Sequence, residues 1–131
     1  MNEVKINETD YKIDFNSLSY IKHRQMFNRG IFDDIKLVEN FVAKQVVIEQ
    51  EIVKENPDIT EEAMSKMLSR VMLDGISEFI EAITRLAYTG IVCADDNFKL
   101  GYEQWLKTIK RVNTNDDWIV EVTELAVSSF C

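Results

Sequence analysis

The chain is 131 residues long with a formal charge of -8, the size of one ordinary domain that can bury a core without metal or disulfide staples. That acidity repels nucleic-acid phosphates and anionic lipid head groups, and no dense Lys/Arg cluster reverses it locally, so direct nucleic-acid binding is not expected. Cys93 and Cys131 make neither a disulfide framework nor a metal-ligand spacing, and both are read as reduced thiols.

The charge is unevenly placed. Residues 1–30 carry five Lys/Arg against four Asp/Glu, which leaves ten against nineteen for residues 31–131. No basic segment followed by an apolar one opens the chain, and no run approaches the ~18 apolar residues of a membrane span. The expectation is a soluble cytoplasmic protein without membrane contact. In that setting the sequon Asn7-Glu8-Thr9 is not glycosylated.

In chain order, Val4-Lys5-Ile6 and Tyr11-Lys12-Ile13-Asp14-Phe15 alternate apolar and polar residues around a polar turn of four, Asn7 to Asp10. This predicts a β-hairpin over residues 1–15. Asn16 and Ser17 offer N-cap oxygens to a short helix bearing Leu18, Tyr20, Ile21, Met26 and Phe27, with Gly30 as its stop. From Asp33 to about Lys54, Ile35, Val38, Phe41, Val42, Val46, Ile52 and Val53 recur at helical spacing and predict the longest helix.

Pro57 punctuates the chain, and Thr60 then caps a helix whose first turn holds Glu61 and Glu62. The stripe Met64, Met67, Leu68, Val71, Met72 continues past Gly75 as Ile76, Phe79, Ile80, Ile83 and Leu86, with a break at Gly75 and an end at Gly90. Asp95-Asp96-Asn97 is placed to cap a helix carrying Phe98, Tyr102, Trp105, Leu106, Ile109 and Val112, with Lys107, Lys110 and Arg111 in its last turns. Asn113 to Asp116 then opens a final helix with Trp118, Ile119, Val122, Leu125, Ala126 and Phe130. The whole reads as a mainly α (α+β) single domain: a hairpin, then five or six packed helices over residues 16–131.

Chemistry is sparse. A nucleophile-imidazole set has only His23 to draw on, between Lys22 and Arg24, and it reads as a surface or half-buried structural residue. Zinc and di-iron sites lack His and paired Cys. Asn113, Asn115, Asp117 and Glu124 stand at calcium-loop positions, but Trp118 occupies the place where the turn demands glycine, so capping is the better account. The pairs Asp33-Asp34, Glu61-Glu62, Asp95-Asp96 and Asp116-Asp117 all fall at expected helix starts. The four glycines stand apart and form no phosphate loop. No catalytic residue, metal ligand or cofactor is therefore expected.

What remains is apolar excess: seven Phe, four Tyr, two Trp and five Met. Met64, Met67 and Met72 on one stripe, with Tyr102 and Trp105 on another, are the candidates for a partner-binding surface, since Met adapts its shape and Trp and Tyr anchor interfaces. Ordinary core packing competes for each.

The stretch Val4 to Leu18, a β-turn-β-helix opening, followed by a helical body ending in a tryptophan-bearing amphipathic helix around Trp105, resembles the tail assembly chaperones of long-tailed bacteriophages. The resemblance implies a non-enzymatic protein of the host cytoplasm, absent from the finished virion. Its partner would be the tape measure protein, a long, apolar, helical client kept soluble until tube subunits polymerise around it. It also implies self-association, since covering a long helix takes many copies. From a different class, an acidic inhibitor or DNA mimic would present its carboxylates to a cationic groove, and an enzyme using carboxylates alone would need two of them in one pocket.

Overall fold

The computed structural model describes residues 2–114 and 116–130. Its elements are β1 (Asn2–Ile6), β2 (Thr9–Ile13), α1 (Ser17–Phe27), α2 (Ile31–Glu55), α3 (Glu61–Val71), α4 (Ile76–Ala94), α5 (Tyr102–Thr108) and α6 (Asp117–Phe130). The α+β class and the hairpin-then-helices order match the sequence reading.

β1 and β2 pair antiparallel from Asn2↔Ile13 to Ile6↔Thr9. The turn is two residues rather than four: Asn7 and Glu8 both have positive φ, 49° and 76°, the handedness that lets a two-residue turn follow the twist of its strands. Thr9 and Asp10 therefore belong to β2. Val4, Ile6, Ile13 and Phe15 are buried beneath the hairpin.

Asn16 caps α1 by accepting from Leu18 N at 3.0 Å, and Ser19 Oγ returns the bond to Asn16 N. The helix stops at Asn28, left-handed at φ 54°, and Gly30 instead starts α2. Asn serves here because its short side chain tolerates that conformation. α2 has 25 residues and spans about 37 Å at 1.5 Å per residue. The run Val46-Val47-Ile48 stays helical within it. Thr60 caps α3 as expected, its Oγ1 accepting from Ala63 N at 3.1 Å.

Gly75 breaks α3 from α4 with φ 89°. Gly90, however, does not end α4; it lies inside it and is buried. Its role is close approach. Asp14 N donates to Gly90 O at 3.0 Å, and a Cβ at this position would stand 2.6 Å from Ile13 Cγ2 and 3.1 Å from Phe15 Cζ. The missing side chain seats the end of the hairpin on α4.

The expected helix from Phe98 is shorter and later. Asp95 turns the chain by accepting from Asn97 N at 2.9 Å, a local bond that competes with helix formation, and α5 starts only after Gly101. Tyr88 OH donates to Leu100 O at 2.7 Å and holds the connecting loop. Ile109 is already extended, so Lys110, Arg111 and Val112 lie beyond the helix. Asp116 Oδ2 accepts from Asn113 N ahead of α6. Asn115, part of the expected start, lies outside the described residues, as does Cys131. Glu124 sits well inside α6, so the calcium-loop spacing is mostly helix.

The core gathers around α4, which packs on α1, α2, α5, α6 and β2. Phe41 and Phe79 stack at 4.3 Å between ring centroids. Gly90→Ala would gain about 1 kcal/mol of helix propensity but force the branched Ile13 aside, an overpacking cost of about 1–3 kcal/mol. The variant is expected to be less stable than wild type in urea denaturation; equal or greater stability would show that the hairpin yields freely.

Candidate functional site: a buried ionic knot and an exposed helical arm

His23 is not at the surface. It is fully buried with Asp34 and Thr89 where α1, α2 and α4 meet. Its Nε2 donates to Asp34 Oδ2 at 2.6 Å, and its Nδ1 lies 2.7 Å from Thr89 Oγ1. Arg85 grips the same carboxylate with two bonds, Nε to Oδ2 at 2.9 Å and Nη2 to Oδ1 at 2.7 Å. Arg29 Nε adds a third donor residue at 3.0 Å. Asp34 thus does more than favour the helix N-terminus: it is the shared acceptor of three cationic or imidazole side chains.

A hydroxyl, an imidazole and a carboxylate in a row invite comparison with a hydrolytic set. Here Thr89 has no exposed surface from which a substrate would approach. The arrangement pins three helices. Burial alone would push the Asp34 carboxyl up, but the hydrogen bonds from His23 and Arg85, with their charges, outweigh it and hold the group well below its ordinary value of 3.8. Burial also pushes the Cys93 thiol up, against the hydrogen bond that Ser19 Oγ donates to its Sγ at 3.3 Å. Cys93 is a free thiol of low reactivity. Among the described residues no group of three or more His, Cys, Asp or Glu side chains could hold a metal ion.

The five partner-binding candidates divide. Trp105 is 0% exposed, packed beside Tyr11, Tyr88 and Tyr102. Met72 is also core. Tyr102 is half-buried with its hydroxyl 2.8 Å from Thr84 Oγ1. Tyr102 and Trp105 are structural because the short α5 is folded down onto α4 rather than presented outward, and Met72 because the end of α3 turns it into the core beside Phe41 and Ile76. Met64 is half-exposed and Met67 is exposed, and both belong to a different surface.

That surface is an arm. Beyond Phe41, Ile52 is the one buried residue of α2, and Leu68 is the one buried residue of α3. α3 packs principally on α2. α3 comes back along α2 until Leu68 and Ser69 meet Phe41, Ile76 and Thr114, and away from that point the pair has almost no core of its own. Its skin is apolar: Val42, Val46, Val47 and Val53 on α2 are 40–53% exposed, and Met67, Val71 and the following Leu73 are 39–65% exposed. Glu49, Gln50, Val53, Lys54 and Met64 line a shallow concavity of about 540 Å³ along the pair.

Sequence reasoning placed Val42, Val46 and Val53 on the apolar stripe of the long helix and Val71 on that of the next one, and did not single out Val47 or Leu73. A signal was present. After Phe41 the apolar positions of α2 spread over most of its circumference, a pattern expected of a helix covered on more than one side. No family model, curated protein or solved structure matches this chain.

Two predictions separate the knot and the core from the arm. Asp34→Ala leaves the buried His23 and the largely buried Arg85 without their acceptor and is expected to cost about 3–5 kcal/mol. Because the folded carboxyl lies below its unfolded value, its contribution is complete above the ordinary 3.8 and is lost as the pH falls beneath it. The urea midpoint of wild type should therefore drop steeply below about pH 4, and an acid limb unchanged in Asp34→Asn would contradict this. Trp105→Ala should cost about 3–5 kcal/mol, whereas Met67→Ala should stay within about 0.5 kcal/mol of wild type; thermal melts would distinguish them.

Proposed function

We propose that this chain is a non-enzymatic assembly chaperone that keeps a long, apolar, helical client soluble, as the tail assembly chaperones it resembles do for the tape measure protein. The observation that carries the reading is the arm's exposed valine and methionine surface. A contiguous apolar patch costs free energy in water and marks an interaction site when it is not scattered. Helices with Met on an adaptable face suit apolar helical partners of varied sequence.

The arm is also suited mechanically. It is anchored at one end, through Ile31, Ile35, Val38 and Phe41 of α2, in the core. Its far end, around Pro57, is free of that core, so a client can be engaged without disturbing the body. The acidic balance of the chain helps a loaded complex remain soluble.

The test is co-expression with a long helical tail protein encoded nearby, followed by pull-down and light scattering. Wild type is expected to carry the client into the soluble fraction, and Met67→Glu with Val71→Glu to lose it by about tenfold or more while keeping a native circular dichroism spectrum. Capture through apolar surface should survive an about tenfold rise in salt, whereas binding as an acidic mimic should collapse. A client left insoluble by wild type would overturn the chaperone reading.

A further inference from the structure

The hairpin has an edge left without a partner strand. Across a two-residue turn, Ile6 and Thr9 exchange both ladder bonds, and the bonded pairs recur at Val4↔Tyr11 and Asn2↔Ile13. Glu3 and Lys5 therefore turn their backbone N–H and C=O groups away from β2. Among the described residues none of these four groups has a hydrogen-bond partner.

Two clefts follow one another along that edge. Each has β1 or its turn on one side and α6 or the segment before it on the other, and no residue of β2 lines either. The first, about 520 Å³, lies between Lys5, Asn7 and the start of α6. Trp118 forms part of its wall at 3% exposure, and its indole Nε1 is a buried donor with no acceptor among the described residues. The second, about 440 Å³, lies between Asn2, Val4 and Leu125. Glu3, Glu121 and Glu124 give it three exposed carboxylates and no cation. None of the three is in an ion pair among the described residues.

We propose that this groove takes an extended, lysine- or arginine-bearing peptide segment of a partner protein, added to β1 as a third strand. An unpaired strand edge offers donors and acceptors at a period of two residues, which another extended backbone matches and a helix, with its own groups satisfied internally, does not. The five residues of β1 span about 16 Å at about 3.3 Å each, room for a segment of similar length. The three carboxylates select basic side chains at the Asn2 end. They also disfavour a second copy of β1, which would bring its own Glu3 to them. An extended chain further carries carbonyl oxygens past the wall in which the Trp118 donor lacks one. The inference rests neither on the arm nor on the chaperone reading, whose client is helical.

The experiment titrates the full-length, nitrogen-15-labelled chain with a capped heptapeptide alternating valine and lysine, followed by amide NMR and hydrogen exchange. The amides of Glu3 and Lys5 should shift most and gain protection. The same peptide with glutamate for lysine should bind about tenfold more weakly or worse. Methylating every second peptide nitrogen should weaken binding about tenfold in one phase of the alternation and less than about threefold in the other, since only one set of N–H groups faces β1. Glu121→Lys with Glu124→Lys, both exposed on α6, should weaken it about tenfold with unchanged circular dichroism. No shift at β1 with millimolar peptide, shifts confined to the α2–α3 arm, or equal loss in both methylation phases would each overturn the proposal. So would protection of Glu3 and Lys5 that grows with protein concentration alone, which would assign the edge to a second copy. Client capture that fails while the peptide behaves as described would sink the chaperone reading and leave this one standing.

Discussion

The fold depends on enclosing α4. Ten of its nineteen residues are buried, and they point around most of its circumference, so no single neighbour can cover it. Apolar burial at roughly 25 cal/mol per Å² rewards enclosure from every side, and that demand places the other elements. The hairpin closes one side, α1 and α2 another, α5 and α6 the remainder. Where the approach is tightest the sequence supplies Gly90, and where a polar seam must cross the packing it supplies a carboxylate with three donors.

The Asp34 knot shows how a buried charge is made tolerable. An isolated carboxylate in this position would cost several kcal/mol, and pairing offsets that only when the remaining lone pairs are also met. Here His23 comes from α1, Arg29 from the α1–α2 turn and Arg85 from α4. Each donor belongs to a different segment, so the knot fixes the mutual placement of those segments more sharply than apolar contacts alone. It does so beside the start of α2, at the root of the arm.

Burial is unevenly shared between the body and the α2–α3 pair. The body has a continuous core; the arm has Ile52, Leu68 and little else. Elements with few buried contacts open and adjust at low cost, which suits a surface that accepts partners. The arm's apolar side chains thus add little to the core, and it is this exposed apolar surface on which the proposed chaperone reading draws.

Local patterns in the sequence determined much of this. The hairpin's alternation, the Asn16 and Thr60 caps, the break at Gly75 and the apolar stripe of α6 all follow from short-range stereochemistry and are found where the residues place them. What local pattern could not decide was which apolar face meets which. Trp105 and Met67 are alike in periodicity and hydrophobicity, yet one is at the centre and the other on the arm, because α5 folds back onto α4 and α3 has only α2 beside it. His23 was equally ambiguous: its immediate neighbours are cations, and only the packing of α1 against α2 and α4 brings Asp34 and Thr89 to its two nitrogens. The sequence by itself set the kind and order of the elements and several of their caps and breaks, through interactions within a few residues. The tertiary structure alone decided burial, and hence function, because burial depends on contacts between segments far apart in the chain.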